Sequence, residues 1–250
     1  MLRVPPPTIL RGRAEVALRI ITFDLDDTLW DVRPALIRAE HDTRAWLAAQ
    51  VPDMAARFDA NALHGVRNDL VAADPTITHQ LSRLRRDTYR EAMIRTGYPA
   101  AEALRLADAA FKVFLDGRNS IEPFEGVPEL LAELAGRYVL GALSNGNADL
   151  SRLAIGRHFA FHFSAEQVGA AKPHPAMFDA ALAHTGAERA CVLHVGDNAE
   201  HDIVGATRAG LRSVWINAHG AGYPPHLEAT PVAEIAHVLD LPQALATLEG

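Results

Sequence analysis

The feature that most constrains this chain is an apolar run, Ala17 to Phe23, that ends abruptly in the acids of Asp24-Leu25-Asp26-Asp27. Broken only by Arg19 and rich in isoleucine, it reads as a buried parallel strand stopping at a site. A second stretch, after Ile121-Glu122-Pro123-Phe124-Glu125-Gly126, alternates strand and helix. Helices are expected over Pro128 to Leu134, Pro175 to His184 and Glu200 to Ala209. Strands are expected over Tyr138 to Leu143, Phe159 to Phe163, Cys191 to Val195 and Ser213 to Ile216. Such alternation predicts an α/β protein with an open parallel sheet covered by helices.

Between these stretches, from Pro34 to about Arg118, the segments are rich in Ala, Leu and Arg and contain no strand pattern. Pro34 to Ala49 and Thr76 to Gly97 carry apolar residues at near-helical spacing, and Pro52, Pro75 and Pro99 punctuate the insert into about four helices. The expected architecture is therefore a Rossmann-like parallel-sheet core, residues 1–31 and 119–250, with an all-helical cap, residues 32–118, inserted after the first strand. The arginines Arg83, Arg85, Arg86, Arg90 and Arg95 form either a phosphate-attracting face or a solvated one.

Composition narrows the partners. Hydrophobic residues at 49% and charged residues at 22% fit a globular chain with a substantial core. A net charge of −7 opposes broad attraction to nucleic acid or to an anionic membrane, so a small anionic ligand would need a local basic pocket. The single cysteine, Cys191, lies in an apolar run and reads as core packing. No apolar stretch approaches the ~20 residues of a membrane span, and Met1 to Arg13 lacks a secretory-type apolar segment. A cytoplasmic location and a loose arm over the first dozen residues are the expectations.

In an open parallel sheet, ligands collect at the carboxyl ends of the strands. Four loops there carry chemistry. In the first, the period of two puts Asp24 and Asp26 on one side and Leu25 on the other. Paired carboxylates are costly unless a cation binds or one is protonated, so they point to a metal, acid/base work, or both. Asp27 and Thr28 could equally form a plain acidic turn. In the second, Ser144-Asn145-Gly146-Asn147, a hydroxyl is followed by a glycine that lets backbone N–H groups approach a phosphate, although such turns are common. In the third, Lys172 precedes Pro173 and is held extended, either as a fixed ammonium or as an ordinary loop lysine. In the fourth, Asp197 and Asp202 bracket Asn198 to His201, where Asn198 could cap a helix and Asp202 complement its dipole.

Taken in order, these loops resemble the four motifs of the haloacid dehalogenase-like superfamily, and the likeness covers the whole core, with the insert similar to the small helical cap of the C1 type. The resemblance implies a magnesium-dependent phosphatase. Asp24 would be the nucleophile that forms an aspartyl phosphate, and Asp26 the acid that protonates the leaving oxygen and then takes a proton from water. Asp24, the backbone carbonyl of Asp26 and Asp197 would hold Mg2+. Ser144 with the Asn145 and Gly146 amides would bind the phosphoryl oxygens and Lys172 would neutralise charge, with Thr28 and Asp202 in support. The charges agree with a metal. A dianionic phosphate approached by Asp24 is repelled by about 8 kcal/mol at an effective dielectric of about 20, more than Lys172 alone offsets.

The acid at Asp26 favours phosphate chemistry over dehalogenation, in which the leaving halide needs no proton. A small phosphomonoester is the expected substrate. A narrower resemblance, over Leu18 to Pro34, the Ser144-Asn145-Gly146-Asn147 turn and Leu193 to Asp197, is to bacterial phosphatases of flavin mononucleotide and of the phosphorylated ribitylaminouracil intermediate of riboflavin synthesis. Sugar phosphates, phosphoglycolate or nucleotides are the alternative substrates. Asp31 and Arg33, at the entrance to the cap, are candidate substrate contacts or helix-start residues. A non-enzymatic phosphoryl-accepting module is the alternative from another class, and it would stop after one turnover.

Overall fold

The computed structural model describes residues 17–249, so the expected N-terminal arm lies outside the described residues. Six parallel strands form one sheet in the order β3-β2-β1-β4-β5-β6. They are β1 (Ile20–Phe23), β2 (Val139–Ser144), β3 (Phe161–Ser164), β4 (Val192–Gly196), β5 (Arg212–Ile216) and β6 (Ala233–Ile235). Central β1 pairs on both sides and all four of its residues are buried, as expected of a strand covered on both faces. The period of two divides it: Ile21 and Phe23 join the core under one face, and Ile20 joins the core under the other.

Between β1 and β2 the chain builds α1 (Arg33–Gln50), α2 (Pro52–Arg57), α3 (Ala60–Ala73), α4 (Leu81–Thr96) and α5 (Ala100–Arg118). The sequence suggested about four helices; five form because Pro52 opens α2 and the Asp59 side chain, accepting from Ala62 N, caps α3. The helix expected from Thr76 starts only at Leu81. Asp74 accepts from Thr76 N and holds Pro75–His79 in a separate 3₁₀ turn, and Gly97 at φ 103° stops α4. A local apolar cluster that includes Leu47, Met54, Tyr89, Met93 and Leu106 holds these helices together. Where α5 crosses α1, a Cβ on Gly117 would lie 2.6 Å from the Ala39 Cα, so only glycine permits that approach.

The remaining helices are α6 (Val127–Ala135), α7 (Ala165–Val168), α8 (Ala176–Thr185), α9 (Gly205–Arg208) and α10 (Leu241–Glu249). Leu130, Leu131 and Leu134 of α6 and Leu241 and Leu245 of α10 cover one face of the sheet, while Met177, Phe178 and Ala206 cover the other. The helix expected over Glu200 to Ala209 is instead a wide π-type turn, Ala199–Val204, running into α9. β6 and α10 extend the alternation beyond the elements read from the sequence. Cys191 is buried and unpaired, as its apolar setting suggested. No helix of the described residues is long and apolar enough to cross a membrane.

Candidate active site

The strand order reverses direction between β1 and β4, and at this point the carboxyl ends of β2, β1 and β4 lie side by side. Asp24 follows the last residue of β1, Ser144 is the last residue of β2, and Asp197 follows β4. Lys172 enters from the loop between α7 and α8. Asn145 pins that loop, donating from Nδ2 to Lys172 O at 3.0 Å and accepting from Lys172 N at 2.8 Å. The side chain of Asn145 is thus spent on Lys172.

Lys172 is buried, and its ammonium donates to Asp24 Oδ1 at 2.7 Å, Asp202 Oδ1 at 2.6 Å and Leu143 O at 2.6 Å. Three donors meet three acceptors, so the cation is fully satisfied. Burial works against that charge, but Asp202 and Asp24 outweigh it and raise the Lys172 pKa. Asp202 has further partners: Oδ2 accepts from Asn198 N at 3.0 Å and Oδ1 lies 3.1 Å from His194 Nε2. His194 Nδ1 in turn lies 2.9 Å from the Thr22 hydroxyl. Burial lowers the His194 pKa, and a neutral ring with Nε2–H donating to Asp202 and Nδ1 accepting from Thr22 satisfies both ends.

The two carboxylates that share Lys172 therefore differ. Burial would raise Asp202, yet Lys172 and His194 prevail and hold it below the usual carboxylate range. Asp24 lacks the extra donors. Burial pushes its pKa well up, Lys172 opposes this, and Asp202 and Asp197 add to the rise. Asp197 is raised to about 6, by burial first and then by Asp202, and accepts from the Thr28 hydroxyl at 3.1 Å.

Asp26 faces a different set of groups. Its Oδ1 accepts from Trp30 Nε1 at 2.8 Å, and one nitrogen of Arg118, the last residue of α5, reaches Oδ1 at 2.8 Å and Oδ2 at 2.7 Å. Asp27, at φ 60°, makes the tight turn that brings Trp30 back, with Asp27 N donating to Trp30 O at 2.8 Å. Gly146 lies against the carboxylate: an added Cβ would sit 2.5 Å from Asp26 Oδ2, 3.2 Å from Arg118 Nη2 and 3.3 Å from Ser144 Oγ. The Gly146 N–H donates to Ser144 Oγ at 2.9 Å.

Two cavities meet here. A small one of about 80 Å³ is lined by Asp24, Asp26, Ser144, Lys172 and Asp202, among others. A larger one of about 920 Å³ runs between the loops after β1 and β2 and α1 to α5, past Leu36, Glu40, Phe58, Arg85, Tyr89 and Phe114. Among the described residues only Asp26 and Gly146 line both. Arg85 is the one member of the suspected arginine face that reaches the large cavity, stacked 3.6 Å over Phe114 and paired with Glu40 at 2.5 Å. The others pair with acids: Arg83 with Asp74 and Asp87, Arg86 with Asp87 and Asp108, Arg90 with Asp87, Arg95 with Asp69 and Glu91. Asp31 and Arg33 line neither cavity. The Asp31 carboxylate accepts from Arg33 N at 2.9 Å at the start of α1, the helix-start role.

Carboxylate oxygens of Asp24, Asp197 and Asp202 lie within 4.8 Å of one another, close enough to share a cation. Lys172, His194 and the Asn198 amide already occupy Asp202, so the hard donors left over are Asp24 and Asp197, both raised by burial first and by neighbouring carboxylates second. This donor set fits a magnesium-like ion. Arg118, His194 and Thr22 were missed in the sequence. The signals were present as polar residues inside apolar segments: Thr22 and His194 are paired in register on β1 and β4.

A family model described as haloacid dehalogenase-like hydrolase matches residues 18–210. The 5-amino-6-(5-phospho-D-ribitylamino)uracil phosphatase YigB of Escherichia coli (strain K12) is 31% identical over 227 residues, covering 88% of this chain and 95% of that protein. The pyrimidine 5'-nucleotidase YjjG of the same organism is 36% identical over 124 residues, 47% of this chain and 55% of that one. Among solved structures, a 2-haloacid dehalogenase from Pseudomonas syringae pv. Tomato DC3000 superimposes with a TM-score of 0.88 at 40% identity, covering 92% of this chain and 99% of that one. By the extent of the family model and of these likenesses, the chain belongs to the haloacid dehalogenase-like hydrolases.

Proposed function

We propose that the protein is a magnesium-dependent phosphatase of small phosphomonoesters, working through an aspartyl phosphate on Asp24. The observation that carries this reading is the position of Asp26. Asp26 lines both the small cavity, which suits a phosphoryl group, and the large one, which suits a leaving group. Asp24 attacks phosphorus from the small cavity, and as the bond to the leaving oxygen breaks, Asp26 delivers a proton to that oxygen. Water then attacks the acyl phosphate, with Asp26 taking its proton. Ser144 and the turn amide of Asn145 bind phosphoryl oxygens, the Gly146 N–H orients the Ser144 hydroxyl, and Lys172, locked by Asp202 and Asn145, keeps Asp24 oriented.

Asp24, Asp197 and the Asp26 carbonyl would hold the Mg2+, which supplies positive charge between nucleophile and phosphate. The site needs it, since three carboxylates already face one ammonium before a dianionic phosphate arrives. We further propose that helices α1 to α5, residues 32–118, act as a cap over the leaving group. A cavity of about 920 Å³ is roomy for glycolate and suits a substrate of nucleotide size. With the likeness to YigB, this supports 5-amino-6-(5-phospho-D-ribitylamino)uracil or flavin mononucleotide over smaller esters.

The likeness to a protein titled 2-haloacid dehalogenase gives a second reading. The test is phosphate release from flavin mononucleotide, the ribitylaminouracil phosphate, nucleotides and sugar phosphates, with and without Mg2+, beside halide release from a 2-haloacid. Steady phosphate release that requires Mg2+ and is abolished in Asp24→Asn is expected. Halide release without phosphate release, or a wild-type rate in Asp24→Asn, would refute the proposal.

A further inference from the structure

The end of α5 is fixed by the contact of Gly117 with Ala39, and this delivers the next residue, Arg118, into the interior at 2% exposure. Among the described residues, the only side-chain hydrogen bonds of Arg118 run from Nη2 to the two oxygens of Asp26. Its Nη1 is buried and has no partner. A guanidinium held this way adds little to stability. Replacing a buried ion pair by apolar groups is often neutral or favourable, and an orphaned N–H costs about 1–3 kcal/mol. The effect of the pair is geometric. Oδ1 of Asp26 receives both Trp30 and Arg118, whereas Oδ2 receives Arg118 alone and is the oxygen turned toward Gly146. Oδ2 therefore keeps a free lone-pair direction at the boundary of the two cavities, where the scissile P–O bond has to lie if phosphate and leaving group occupy one each.

We propose that Arg118 is a positioning residue that holds Asp26 so that Oδ2 faces the leaving-group oxygen. The proposal rests on the phosphatase reading. As the bond from Asp24 to phosphorus forms and the P–O bond breaks, the proton on Asp26 Oδ2 passes to the departing alkoxide. Arg118 itself neither gives nor takes a proton.

The test compares an alkyl ester, flavin mononucleotide, whose leaving group needs a proton, with p-nitrophenyl phosphate, whose leaving group does not. In Arg118→Met, kcat for flavin mononucleotide should fall roughly 100-fold and kcat for the aryl ester less than about 10-fold, with KM for both nearly unchanged. Arg118→Lys, which keeps one donor, should recover part of the alkyl activity and guards against misfolding of the methionine variant. Equal losses on the two esters, or losses confined to KM, would overturn the assignment. Failure of the wild-type protein to release phosphate from either ester would instead refute the phosphatase reading on which it stands.

Discussion

Replacing Lys172 by methionine removes the one cation between Asp24 and Asp202, and the structure gives the size of the effect. Each Nζ–oxygen contact, at 2.7 and 2.6 Å, is an attraction of about 6 kcal/mol at an effective dielectric of about 20. The two carboxylates, with oxygens within 4.8 Å, would then repel by about 3.5 kcal/mol at that dielectric. Recovered desolvation of the ammonium offsets much of the lost attraction, and one-sided removal of a buried ion-pair partner typically costs about 3–5 kcal/mol. For a chain of this size that corresponds to a fall in Tm of roughly 6–20 °C.

The measurement is urea unfolding followed by tryptophan fluorescence in EDTA. The double variant Lys172→Met/Asp24→Asn should recover about 3 kcal/mol, because it abolishes the repulsion. The pH dependence has a definite sign. Without Lys172, the Asp24 pKa rises further in the folded state, so the folded protein takes up the extra proton. The penalty should be large at pH 8 and shrink as pH falls toward 5. A single variant within about 1 kcal/mol of wild type, or a double variant no more stable than the single, would refute this account of the cluster.

Gly146→Ala should lower kcat about 100-fold and also lower Tm, since the methyl would displace the Asp26 carboxylate from its place 2.5 Å away and strain its pair with buried Arg118; steady-state kinetics beside a thermal melt checks it. Mg2+ affinity, read by isothermal titration calorimetry, should weaken as pH falls through about 6, and more steeply wherever Asp24, also raised, is protonated as well. Protonated Asp197 competes with the ion there, and binding should release a proton in that range.

Much of the site was legible because its residues sit directly after apolar runs whose period is unambiguous. Asp24, Ser144 and Asp197 each lie at a strand end, and the strand ends are the best-defined points of an alternating pattern. Lys172 needed the proline that follows it. The groups that were missed act through pairing across the sheet or across the insert. His194 matters because register sets it opposite Thr22, and register is not visible in one strand read alone. Arg118 resembled the other arginines of the insert, and its sequence neighbours do not show that Gly117 drives it against the Asp26 loop. β6 was invisible for a simpler reason: Ala233–Ile235 has too few residues to display a period.

The chain of contacts from Thr22 through His194, Asp202 and Lys172 to Asp24 places an imidazole, sealed from solvent, one carboxylate and one ammonium away from the Asp24 carboxylate. Its ring nitrogens are therefore a native spectroscopic reporter. Charge lost from the Asp24 carboxylate on phosphorylation would change the field along this line, and the ¹⁵N shifts of His194 should register it in real time without any label at the reacting centre.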